Sequence, residues 1–172
     1  MDSGSATHTR TYRRLVQGTT INGTTLLSTD YLNHFNEFVM MLELVADMPD
    51  MAPELEQWQP KTYVQHFADS GFSHKDLAIA AYDHVPAEFR RPFDETIAAI
   101  DAMICETVPR VGALLVEHES EAARHHMLTI AREMRGMIER ASAIINGARV
   151  EDLDGAEGDS TMGQGDIDAL FD

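Results

Sequence analysis

One cysteine, one tryptophan and few basic residues mark this chain of 172 amino acids. Each scarcity excludes something. With Cys105 alone, no disulfide can form within a single chain. It sits in the apolar run Ile100-Asp-Ala-Met-Ile-Cys105, with no His or Asn beside it in sequence, so a buried inert thiol is expected. Lys and Arg total 13 against 29 Asp and Glu, a formal charge of -16. Such a chain repels phosphate backbones and anionic lipid, which sets aside nucleic acid and membranes as partners. A basic protein surface or a metal ion fits the charge better, and solubility alone would also account for it. No apolar stretch is long enough to span a bilayer, and Met1-Asp2-Ser3-Gly4-Ser5 has no apolar signal core, so a cytoplasmic protein is expected. A Gly-rich phosphate loop, a Ser-His-Asp arrangement and zinc-ligand spacing are all lacking.

What is present points to helices. Hydrophobic residues make up 44%, enough to form a core. Residues 1–11 are small and polar and read as a disordered N-terminus. Asn22-Gly23, flanked by Thr, Ile and Leu, signals a turn in a small hairpin or extended arm lying on the helices. A first helix is predicted from about Asp30 to Asp47, with Ser28, Thr29 and Asp30 as competent N-caps. Leu32, Phe35, Val39, Leu42 and Ala46 form its buried stripe, and Pro49 marks its end. Short helices follow: one at Pro53–Trp58, one at Lys61–Asp69, and one at Lys75–His84 opened by a capping box from Ser73 to Asp76.

Two longer stripes come next. Phe93, Ile97, Ile100, Ile104, Val108, Val111 and Leu115 step at helical spacing, with a kink expected at Pro109. Met127, Ile130, Met134, Met137, Ala141 and Ile144 do the same, with Asn146-Gly147 as a C-cap. The favoured arrangement is an antiparallel helical hairpin with its tip near His118–Glu121; one bent helix is the alternative. A stripe this long needs a facing partner, so a homodimer is expected. The methionines at helical spacing read as core filling.

Beyond Ala148, Glu151, Asp152, Asp154, Glu157, Asp159, Asp166, Asp168 and Asp172 stand against the single cation Arg149, among several glycines. This composition reads as a solvated linker. The expected fold class is therefore all-α: short helices plus a long helical hairpin, in a bundle able to dimerise, with a small N-terminal arm or hairpin and a disordered acidic tail. The expected boundaries are a disordered N-terminus at 1–11, a helical domain with its arm at 12–147, a flexible linker at 148–162 and a docking peptide at 163–172.

That last peptide carries the main functional signal. Ile167, Leu170 and Phe171 lie at i, i+3 and i+4, with Asp166 and Asp168 around them. A segment this short cannot hold a helix alone in water, but can form one in the apolar groove of a partner rimmed by Lys or Arg. Packing back on the body is the competing reading. Gln164-Gly-Asp-Ile-Asp-Ala-Leu-Phe171 resembles the response-regulator-binding peptide of flagellar motor switch proteins, roughly Ser-Gln-acid-acid-Ile-Asp-Ala-Leu-Leu. Gly163 stands where that pattern has Ser, and Gly165 where it has an acid. The layout also resembles chemotaxis phosphatases of the CheZ type, which join a long hairpin, a dimeric bundle, a linker and a terminal helix. The resemblance implies a CheY-like response regulator as partner, with Mg2+ held by that partner and no cofactor on this chain.

Hydrolysis of a phospho-aspartate needs a water aligned with phosphorus, usually by an amide beside an acid. CheZ-type enzymes carry Asp-x-x-x-Gln on a helix, and this chain has no such sequence. Its nearest equivalent is Asp30-Tyr-Leu-Asn33-His-Phe-Asn36-Glu37, where Asn33 and Glu37 share a face opposite the apolar stripe. Asp30-x-x-Asn33 is similar to the acid-x-x-Asn pattern of CheC and CheX phosphatases. The candidate catalytic residues are therefore Asp30, Asn33, Asn36 and Glu37; a helix cap with polar surface around it is the structural alternative.

Two rival classes remain: a non-catalytic adaptor using the same tail, and a small metal-binding bundle. For metal, His34-x-x-Glu37, Glu121 with His125, and His118 with His125 are the available spacings, but the paired Glu-x-x-His of ferritin-like sites is missing. His66 and His84, near apolar neighbours, read as structural histidines.

Overall fold

The structure, a computed structural model, describes residues 3–155. The candidate partner-binding residues Asp166, Ile167, Asp168, Leu170 and Phe171 lie outside the described residues. Within them the protein is mostly helical and has no strand. In chain order it comprises α1 (Ser3–Leu15), a 3₁₀ turn (Thr29–Leu32), α2 (Asn33–Asp47), a 3₁₀ segment (Pro49–Gln57), α3 (Tyr63–Asp69), α4 (Lys75–Tyr82), α5 (Ala87–Glu117) and α6 (Ser120–Ile145). No helix among the described residues is long and apolar enough to cross a membrane.

The core is a layer of α2 and α5 packed on α6. All five predicted stripe residues of the first helix, Leu32, Phe35, Val39, Leu42 and Ala46, are buried, joined by Phe38 and Val45. Apart from Ala46, each of these side chains contributes about 1.5–3 kcal/mol when withdrawn from water. Along α5, Phe93, Ile100, Ile104 and Val111 are buried as the spacing predicts, while Phe89 and Leu114 join them and Ile97, Val108 and Leu115 are half-buried. On α6 the buried line runs through Ala123, Met127, Ala131, Met134, Ile138 and Ala141. Ile138 therefore takes the inward place and Met137 is half-buried. An α-helix turns 100° per residue, and α6 meets α2 on one side and α5 on the other, so its buried band is wider than one stripe. α5 and α6 are joined only by His118 and Glu119.

Several sequence expectations need correction. The N-terminus is not disordered over its length, because α1 spans Ser3–Leu15. Its polar composition hid it; what holds it is the Tyr12 ring stacked on His84 at 4.6 Å and Thr9 donating to the His84 carbonyl at 3.4 Å. The acidic segment from Ala148 is not all linker: 150–155 is helical, with Leu153 packed against the core and Asp154 accepting from Arg140 at 3.0 Å. Cys105 is exposed, not buried, and lines a surface cavity with Leu55, Trp58 and Val108. Ser73 does not cap α4, which has no side-chain cap. The capping box is instead at Thr62 and Gln65, opening α3.

The Asn22-Gly23 region makes one antiparallel bridge, Ile21 to Ser28, rather than a strand pair. Asn22 organises it: its side-chain oxygen accepts from the backbone N–H of Thr24 at 2.8 Å and of Thr25 at 3.0 Å. Leu26 sits at φ 63 and is fully buried, so apolar packing outweighs an unfavourable backbone there. Thr25 then donates to the Ile145 carbonyl at 2.5 Å, satisfying the end of α6. Gly147, at φ 98, completes that terminus as the sequence suggests.

Candidate functional site

The 3₁₀ turn before α2 creates the site. Ser28 caps it by accepting from the Asp30 backbone N–H at 3.3 Å. Asp30 is therefore not the cap, and its carboxylate is free to bond elsewhere. It takes two partners. Asn33 donates its amide N–H to Oδ1 at 3.3 Å, and His66 Nε2 lies 3.1 Å from Oδ2. A carboxylate can only accept, so His66 carries its proton on Nε2. With its amide N–H committed to Asp30, Asn33 keeps its carbonyl oxygen as a free acceptor. Asn33 is exposed and Asp30 half-buried.

Asn33 and Asn36 line one groove between the start of α2 and α6, with a volume of about 330 Å³. Its other walls are Thr29, Leu32, Arg135, Ile138, Glu139 and Ser142. Arg135 spans from α6 to α2, donating from Nε and Nη2 to the two carboxylate oxygens of Glu43 at 3.0 and 2.7 Å. This forked geometry fixes the guanidinium beside the two amides. Asn36 makes no side-chain hydrogen bond among the described residues. Thus Asp30, Asn33 and Asn36 come together as the sequence spacing suggests. Glu37 is exposed and is not among the residues that line the groove.

Sequence reasoning missed His66 and Arg135. They come from α3 and α6, far from Asn33 along the chain, and nothing local marks them. His34 lies beside the site but does structural work. It is buried, donates from Nε2 to the Gln59 carbonyl at 2.7 Å, and stacks on Trp58 at 4.4 Å. Trp58 Nε1 returns a bond to the His34 carbonyl at 2.8 Å. Burial pushes the His34 pKa below the usual histidine value.

The spacings considered for metal resolve differently in three dimensions. His34 faces Trp58, whereas Glu37 is exposed. His118 lies outside α6 and its ring is 5.1 Å from His126, not His125. No group of three or more His, Cys, Asp or Glu able to hold a metal ion occurs among the described residues. His66 is paired with Asp30, and His84 with Tyr12. Compared with known proteins, the chain matches no family model, no curated protein and no solved structure.

Proposed function

We propose that this protein regulates two-component or chemotaxis signalling by binding a CheY-like response regulator through its C-terminal peptide and promoting loss of the regulator's phosphoryl group. The sequence Gln164–Phe171 carries the reading, because its aliphatic-aromatic spacing and flanking acids suit a short helix bound in a basic-rimmed groove. The tail would raise the local concentration of the regulator at a second, weaker contact on the body.

The Asn33–Asn36 groove is that second contact. The Asn33 carbonyl, held by the bond of its own amide to Asp30, accepts a hydrogen bond from a water placed in line with phosphorus. Arg135 offers positive charge to the phosphoryl oxygens. The water oxygen attacks phosphorus, the bond to the receiver aspartate breaks, inorganic phosphate leaves and the carboxylate is restored. Mg2+ belongs to the receiver domain in this scheme. Glu37, away from the groove, drops out of the catalytic set.

A non-catalytic adaptor is the second reading, and one observation favours it: both oxygens of Asp30 are taken up within the fold. The assembly is a cytoplasmic homodimer in either reading. Met40 and Leu44 on α2, with Met48 just past its end, are exposed, are flanked by the Arg135–Glu43 and Arg124–Asp47 ion pairs, and supply the joining face. Asn33→Ala and Asp30→Ala separate the two readings. Both variants should keep regulator binding, and only a phosphatase should lose phosphate release.

A further inference from the structure

The charge of -16 is unevenly spread. Helix α1, Ser3–Leu15, holds Arg10, Arg13 and Arg14 and no acid. At i, i+3 and i+4 the three share one helix face. All three are exposed, and none makes an ion pair among the described residues. By contrast Arg124, Arg135 and Arg140 of α6 each hold a carboxylate. In a chain with an excess of acid, three cations on one face are left without a counter-charge.

Arg10 and Arg13 line a cavity of about 580 Å³ between α1 and the start of α5. Its apolar lining is Ala6, Val85, Pro86 and Ala87. Asp83 is the one carboxylate among its lining residues, and it pairs with neither arginine. The last described helical segment starts beside this cavity. Arg149, Val150 and Glu151 line a neighbouring cavity of about 310 Å³ with Ala87 and Glu88, and Ala87 lines both. A helix rises about 1.5 Å per residue, so Gly155 is displaced from Val150 by about 8 Å. Eleven residues lead from Gly155 to Asp166, a reach of up to about 36–40 Å, which spans two adjoining cavities of these volumes. From 156 to 172 the chain has Glu157, Asp159, Asp166, Asp168 and Asp172, and no Lys or Arg.

We propose that the C-terminal peptide docks on its own body in the α1 groove: Ile167, Leu170 and Phe171 cover Ala6, Val85 and Pro86, while Asp166 and Asp168 face Arg10, Arg13 and Arg14. Most of the acidic surface repels this peptide, whereas here charge and apolar area both match it. A tether this short gives an effective concentration on the order of mM, so a contact weak between separate molecules is filled within one. The contact is a property of this protein alone and does not depend on the regulator-docking reading. A regulator that takes the same peptide must displace it from α1, and its apparent affinity falls by the fraction left undocked.

The test is paramagnetic-relaxation NMR on the full-length chain carrying Cys105→Ser and a nitroxide at Met162→Cys, with no regulator present. Amide signals of Arg10, Arg13 and Val85 should broaden selectively and recover when the nitroxide is reduced. Raising salt from about 0.1 M to about 1 M shortens the screening length from about 10 Å to about 3 Å and should weaken the broadening. Arg10→Glu with Arg13→Glu should abolish it, and Arg10→Lys with Arg13→Lys should keep it. Leu170→Ser with Phe171→Ser, changes confined to the peptide, should abolish it as well. Four results would overturn the proposal: no broadening in the α1 groove, broadening kept by the folded Arg10→Glu/Arg13→Glu chain, broadening kept by Leu170→Ser/Phe171→Ser, or equal broadening when the label and the observed nuclei are on different molecules, which places the contact between copies.

Discussion

The two sides of the Thr29–Leu32 turn treat a half-buried carboxylate in opposite ways. On one side Asp30 is held by His66 and Asn33, and in being held it fixes the orientation of Asn33. On the other side Asp101 has one oxygen withdrawn from solvent with no donor among the described residues. A satisfied carboxylate positions its neighbours, whereas an unsatisfied one is harder to ionise, and burial raises the Asp101 pKa. The same turn serves both, since Tyr31 lines a cavity of about 270 Å³ together with Asp101 while Asn33, just beyond the turn, lines the α6 groove.

The largest expected effect breaks the groove side. Asn33→Ala should slow dephosphorylation of a bound receiver by on the order of 10²-fold, read by phosphate release, with regulator affinity unchanged. An equal loss of affinity would mean that Asn33 contributes binding rather than chemistry. Next, His66→Ala removes one of the Asp30 donors and should lower stability by about 1–2 kcal/mol, measured by urea unfolding. If Asp30 is merely surface, the change would be near zero.

His34 sharpens the comparison through pH. Its folded pKa is depressed by burial, so the unfolded chain binds the extra proton first. Its contribution is complete above about pH 6.5, the ordinary histidine value, and is lost as pH falls through the lower folded value. His34→Gln should flatten that part of the stability–pH curve, followed by thermal melts from pH 7 downward. The smallest effect belongs to Asp101→Asn. Exchanging an unpaired carboxylate for a neutral amide should raise the melting temperature by a few degrees or less. A fall would show that Asp101 has a partner in solution.

Local pattern carried α2 and its neighbours well. The apolar positions from Leu32 to Ala46 repeat at helical spacing, and the same period put Asn33 and Asn36 on the remaining face. The capping box was a local signal too, but Ser73 drew attention that belonged to Thr62, whose Gln65 satisfies both halves of the motif. Tertiary pairings were not legible. His66, Arg135 and Asp101 acquire meaning only from what the fold sets beside them. The helix α1 was hidden for a related reason: its threonines and Gly4 favour no helix by themselves, and the stack of Tyr12 on His84 is a long-range contact.

The central claim is that the C-terminal peptide docks a response regulator. It is tested most directly by titrating a CheY-like receiver domain, with and without beryllofluoride as phosphate mimic, against the full chain and against a chain ending at Gly155. The account predicts that the full chain binds more tightly when the mimic is present, and that removing 156–172 weakens binding at least about 10-fold through loss of the tether. Equal binding by both chains, or none by either, would contradict it.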